Sequence, residues 1–263
     1  MQKKLLICSR STEKYFPSFN TNEKIVFNGF LNEEHLKLLS TRESVIACGG
    51  GACIDLAKIV GSQEVICYPT TAAGSSETSH SVYWNNKIKK SIKRKVPSRT
   101  IVEKNFLKNL PMTVIKNTFC DAISHCFDSM ASKKATKESN KLCQASMEIL
   151  KSRPSNENLV MAGNLAGKAI EISPTTLLHS LSYPMTGHYG LPHGEALGIL
   201  LCKLKNYYDF DIEDFYKIDK RLDLEIDYDF VVEEAYKYGK INFLKNTIEK
   251  KDLISMLKTR DYR

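Results

Sequence analysis

The sequence predicts an α/β N-terminal domain built to bind a dinucleotide, residues 1–117, followed by an all-α C-terminal domain, residues 118–263. Three observations predict this. Short apolar runs alternate with helical patterns in the first third of the chain, as in a parallel sheet with helices on its faces. Two of those runs end in glycine-rich or hydroxyl-rich turns. From Thr118 onward the apolar periodicity is helical.

The elements follow in order. LLIC (5–8) reads as a buried strand, and LNEEHLKLLST (31–41) as an amphipathic helix. SVIACGGG (44–51) is a strand running into a glycine turn, and the helix ACIDLAKIVG follows it. EVICYPTT (64–71) is a further strand. Beyond Asn117, residues 118–132, 137–151, 157–172 and 230–260 suit helices.

Composition bounds the function. The chain has 263 residues, 42% hydrophobic and 26% charged, which is enough for a globular core and argues against disorder. No apolar stretch approaches the ~18 residues of a membrane span. The N-terminal MQKKLLICSRSTEKY lacks the apolar region and cleavage site of a signal peptide, so a cytoplasmic protein is expected. The net charge of +8 can steer anionic ligands but falls short of a nucleic-acid binder. Six basic residues and no acid lie between Lys87 and Lys95; they read either as a solvated strand or loop or as an anion-attracting rim. The eight cysteines form no CxxC pair and fit a reducing compartment.

Gly49, Gly50 and Gly51 sit where a strand ends and a helix begins, so the backbone can approach an anion at the helix N-terminus. Thr70, Thr71, Ser75 and Ser76 form a second small-residue loop after the next strand; alone they would be ordinary turn caps. In an open α/β sheet, ligands sit beyond the carboxyl ends of strands, where both loops lie. Asp121 and His125, four residues apart, share one face of a predicted helix, and His179 and His193 follow. Each taken singly is an ordinary polar residue. Together they form a donor set for a divalent ion such as Fe²⁺ or Zn²⁺ with an open position.

These segments carry a resemblance. GGGACIDLAK (49–58) is similar to the GGGSxxDxAK signature of the iron-dependent alcohol dehydrogenase family, and PTTAAGSSETS (69–79) to its PTTAGTGSEVT loop. CDAISHCFDS (120–129) resembles its DAxxHxxE helix, and HSLSYPMTGHYGLPHGEA (179–196) its final PHG segment. The resemblance implies a dehydroquinate synthase-like fold with the metal in the interdomain cleft. It implies that Asp121, His125, His179 and His193 bind Fe²⁺, or Zn²⁺ in its place, and that Asp128 orients His125. Gly49, Gly50, Gly51, Asp55, Thr70, Thr71 and Ser75 would line NADPH or NADH. The implied activity is NAD(P)-linked alcohol dehydrogenation or aldehyde reduction on a small-molecule substrate, by a homodimer, with no nucleic-acid or membrane partner.

Departures sharpen these expectations. Tyr183 stands where the family commonly carries a further histidine, as in a subgroup resembling phosphonoacetaldehyde reductase, which suggests a small anionic aldehyde. His188 is the alternative proton relay. Ser9 and Arg10 replace an acid that holds the adenosine ribose, which favours NADPH. The chain is shorter than family members usually are. Two alternatives remain open: a non-catalytic homologue that binds nucleotide or a partner, and a cyclase of the dehydroquinate synthase type.

Overall fold

The computed structural model describes residues 4–21, 23–38, 40–209 and 225–259. A five-stranded parallel sheet is formed by β1 (Leu5–Cys8), β2 (Glu23–Val26), β3 (Arg42–Gly49), β4 (Gly61–Pro69) and β7 (Arg99–Thr100), in the order β2-β1-β3-β4-β7. Strand order reverses between β1 and β3, which are in register from Leu5–Val45 to Cys8–Cys48. That reversal opens a crevice beyond their carboxyl ends, where open α/β sheets bind ligands.

The side-chain period of two explains why these strands read as continuous apolar runs. Leu5, Ile7, Val45, Ala47, Val65 and Cys67 face one side and pack with α2 (Gly51–Val60). Leu6, Cys8, Ile46 and Cys48 face the other and meet Phe16, Phe19, Tyr68 and Phe106. Both faces are covered, so polar alternation is absent. All eight cysteines are buried thiols outside any disulfide, packing as small hydrophobes.

The basic run belongs to an antiparallel hairpin of β5 (His80–Asn85) and β6 (Ile88–Lys93). Asn86, with φ 52°, takes the left-handed conformation its turn requires. A small helix α1 (Glu33–Leu38) precedes β3, and α3 (Lys104–Leu107) follows β7.

The helical part contains α4 (Met112–Ala131), α5 (Lys137–Lys151), α6 (Asn156–Ile172), α7 (Leu177–Tyr189), α8 (His193–Lys203), α9 (Lys205–Tyr208), α10 (Tyr228–Lys237) and α11 (Lys250–Lys258). Asn117 lies inside α4, whose first residue is Met112. The expected helix over 230–260 is two helices with a 3-10 turn, Lys240–Phe243, between them; Arg260 lies outside the described residues. Capping sets several ends: Thr136 and Ser139 form a capping box on α5, and Ser155 caps α6. One core runs through these helices from Phe119 and Ile123 to Leu253 and Leu257, and Ala72, from the loop after β4, inserts into it. No helix among the described residues is long and apolar enough to cross a membrane.

Candidate metal centre and cofactor cleft

Three elements bring four side chains together. Helix α4 presents Asp121 and His125 one turn apart. Helix α7 contributes His179 in its first turn, and α8 begins at His193. A Cβ on Gly194 would lie 2.0 Å from the Asn117 carbonyl, so only glycine lets α8 start this close to α4 and set His193 beside Asp121.

The geometry is a carboxylate ringed by imidazoles. Asp121 Oδ1 lies 3.4 Å from His179 Nε2, 3.5 Å from His125 Nε2 and 3.8 Å from His193 Nε2. Donor atoms of Asp121, His179 and His193 all fall within 4.8 Å of one another. His125 joins through the same carboxylate oxygen, its ring stacked on His179 at 4.5 Å and 10°. Strong charge-assisted hydrogen bonds are about 2.7–2.9 Å long, so these contacts are stretched. Donors tetrahedrally placed around an ion with ~2.1 Å bonds lie about 3.4 Å apart, which matches. The Nδ1 atoms of His125 and His193 are buried without a hydrogen-bond partner among the described residues. The donor chemistry and spacing therefore fit a divalent ion.

Electrostatics follows from burial and neighbours. Burial alone would raise the Asp121 carboxyl, but His125, His179 and His193 more than offset it and hold it below the usual carboxylate range. Burial lowers His125 to about 4, against the pull of Asp121. Burial and the Lys89 charge push His193 well down. His179 goes the other way, to about 9, because hydrogen bonds to Asp121 and Asp128 outweigh its burial.

Asp128 does not orient His125, the role that the resemblance implied for it. Its Oδ2 instead accepts from His179 Nδ1 at 2.8 Å and from His179 N at 3.1 Å. The physical reason is the N-terminus of α7, whose free backbone N–H groups draw a carboxylate. Thr176 and Tyr208, absent from the sequence reading, donate to Asp128 Oδ1 at 3.0 Å each. Tyr183, one turn beyond His179, stacks on His193 with centroids 5.9 Å apart. Burial opposes its ionisation, but Lys240, Lys89 and His179 outweigh this and bring the phenol down to about 7.

His188 is not brought to the cluster. It lies nine residues beyond His179, half a turn out of phase on the same helix, and is exposed with its ring edge-on to Phe230 at 4.8 Å.

The two small-residue loops meet at the sheet's carboxyl edge. Gly50 precedes α2, and a Cβ there would lie 3.2 Å from Thr71 Cγ2. Thr70 N donates to the Gly49 carbonyl at 3.0 Å, and Gly51 faces Ala73 and Ser75. Asp55 and Ser75 are engaged internally: Ser75 Oγ donates to Asp55 Oδ1 at 2.5 Å. Lys58, fully buried, pairs with Asp55 at 2.9 Å and donates to the carbonyls of Ser75 and His80. Arg10, at the switch point, is exposed, with its backbone N–H held by Asn28.

Residues 115–224 match the model of the Fe-containing alcohol dehydrogenase family, C-terminal. The match spans the segment that carries Asp121, His125, His179 and His193. Similar proteins include 4-hydroxybutyrate dehydrogenase of Clostridium kluyveri, 26% identical over 204 residues, covering 63% of this chain and 55% of that protein. Phosphonoacetaldehyde reductase of Streptomyces viridochromogenes is 26% identical over 159 residues, or 54% of this chain and 40% of that protein. The chain spans about half the length of the curated relatives it matches. Among solved structures, the iron-containing alcohol dehydrogenase of Thermotoga maritima aligns with TM-score 0.80 at 19% identity, covering 97% of this chain and 90% of that one. Sulfoacetaldehyde reductase of Bifidobacterium kashiwanohense, solved in complex with NAD+, gives 0.83 at 18% identity, covering 98% and 90%. The shared fold is that of the iron-containing alcohol dehydrogenases: an α/β layer followed by a helical one.

Proposed function

We propose that the chain is a metal-dependent, NAD(P)-linked alcohol dehydrogenase or aldehyde reductase acting on a small substrate. The observation that carries this reading is the convergence of three imidazole Nε2 atoms, within 3.8 Å, on one oxygen of Asp121. Asp121, His125, His179 and His193 would hold Fe²⁺ or Zn²⁺. An ion bound there supplies Lewis-acid polarisation of a carbonyl. The carboxylate offsets part of the ion's charge, and Asp128 holds His179 with Nε2 turned toward Asp121.

The cofactor is assigned to the crevice beyond β1 and β3. The N-terminus of α2 offers free N–H groups to a pyrophosphate, and Gly50 with Thr70 and Thr71 leaves the backbone open to it. Asp55 and Ser75 act one step back, fixing the second loop on α2. Exposed Arg10, in place of an acid, supports NADPH over NADH. His188 has no part in this proposal, because its ring faces away from the cluster. The eight buried thiols, none of them in a disulfide, support a reducing, cytoplasmic setting.

The test is cofactor oxidation by protein purified without oxygen and reloaded with Fe²⁺, offered small aldehydes, with His193→Ala as control. We expect turnover that the variant reduces at least ~100-fold, with NADPH preferred. Equal turnover by wild type and variant would contradict the proposal.

A further inference from the structure

Beside the Asp121 cluster, two lysines from distant parts of the chain converge on one ring. Lys89 comes from β6 and Lys240 opens the 3-10 turn after α10. Their ammonium groups lie 4.5 and 5.4 Å from the centre of the Tyr183 ring. That ring stacks on His193 and stands 6.4 Å from His179. One aromatic side chain thus separates the cations from the cluster.

Both lysines are half-buried and held in place. Thr175 Oγ1 accepts from Lys240 Nζ at 2.7 Å. The backbone N–H of Lys89 donates to Tyr238 Oη at 3.3 Å, and the Tyr238 ring packs edge-on against Tyr183 at 5.0 Å. Among the described residues neither lysine has a carboxylate within ion-pair distance, although the surface pairs Lys4–Glu64 and Lys250–Glu233 show that such partners form elsewhere. Two like charges held against one buried ring repel each other, and a bound anion relieves that repulsion. Lys90, the next residue along β6, faces the other way and is exposed, so Lys89 is the member of the basic run that reaches Tyr183.

We propose that Lys89, Lys240 and the Tyr183 hydroxyl form an anion subsite, which selects small aldehydes whose far end carries a carboxylate, phosphonate or sulfonate. The substrate class rests on the reading of the Asp121 cluster as a carbonyl-reducing centre. The anion subsite itself does not. Lys240 follows Asp121 by more than a hundred residues and lies outside every motif, so the sequence does not single it out.

The test has two arms. In the first, titration calorimetry measures binding of methylphosphonate, an unreactive anion, to wild type and to the Lys89→Gln/Lys240→Gln double variant. In the second, phosphonoacetaldehyde and acetaldehyde are compared as substrates for wild type, Lys89→Gln, Lys240→Gln and the charge-retaining Lys240→Arg. Both side chains reach the surface, so the variants should melt with wild type. We expect methylphosphonate binding to be lost in the double variant. Each Gln variant should raise KM for phosphonoacetaldehyde on the order of tenfold and move that for acetaldehyde by less than about twofold, with Lys240→Arg close to wild type. Equal shifts for both aldehydes, or unchanged methylphosphonate binding by the double variant, would overturn the subsite. Loss of anion binding in the double variant together with no turnover of either aldehyde would support the subsite and count against the reductase reading instead.

Discussion

Five donors converge on the carboxylate of Asp128: Thr176 Oγ1, Leu178 N, His179 N, His179 Nδ1 and Tyr208 Oη. A fully buried carboxylate costs free energy to desolvate, yet these partners keep it charged, and its pKa stays below the ordinary value. The consequence reaches the cluster through His179. With Nδ1–H committed to Asp128, Nε2 is the atom turned toward Asp121, the tautomer a metal needs. Asp128→Asn should therefore weaken divalent-ion affinity by roughly 10–100-fold, read by competition with a chelator, while the protein still melts cooperatively. Unchanged affinity would show that His179 needs no such support. Helical spacing puts Asp121 and His125 on one face, and the family resemblance added His179 and His193 to them. The partner of Asp128 was not legible in the sequence, since it depends on where α7 begins in space.

At the scale of elements, the loop after β4 is fixed on both sides. On one side Lys58 pairs with Asp55 within α2 and reaches out to Ser75, Thr78 and the His80 carbonyl. On the other, a Cβ on Gly167 would stand 2.4 Å from the Gly74 carbonyl, so α6 rests directly against the loop backbone. Gly74 itself has φ 69°, which favours glycine. Replacing Lys58 by Met removes the cation and leaves Asp55 buried and uncompensated. Removing one partner of a buried pair typically costs about 3–5 kcal/mol, so urea denaturation of Lys58→Met should show a loss of that order. A loss below ~1 kcal/mol would mean that Asp55 is satisfied by Ser75 alone. The sequence placed Lys58 in a motif and left its role unread, because its partners in the loop lie 17–22 residues downstream.

At the scale of the molecule, an open parallel sheet and a helical layer meet where the two small-residue loops end. The alternation of apolar runs with helical patterns was enough to read this architecture, since strands covered on both faces are uniformly apolar. The β5–β6 hairpin was harder to see. Its lysines lie along a strand whose exposed side needs no apolar residues, and their aliphatic stems mask the period of two. The pair Asn85-Asn86 between two runs was the available turn signal. Helices α7 and α8 went unread as elements because their residues were taken as ligands first. In the proposed function both layers matter, for the crevice assigned to the cofactor lies at the sheet's edge and the Asp121 cluster in the helices.

On the proposed function, the Asp121 cluster binds a divalent ion. Metal content after anaerobic loading with Fe²⁺ and desalting tests it most directly, in wild type and in Asp121→Ala. One ion per chain is expected in the wild type and loss of that ion in the variant, without loss of the fold by circular dichroism. The same metal content in a folded variant would contradict it.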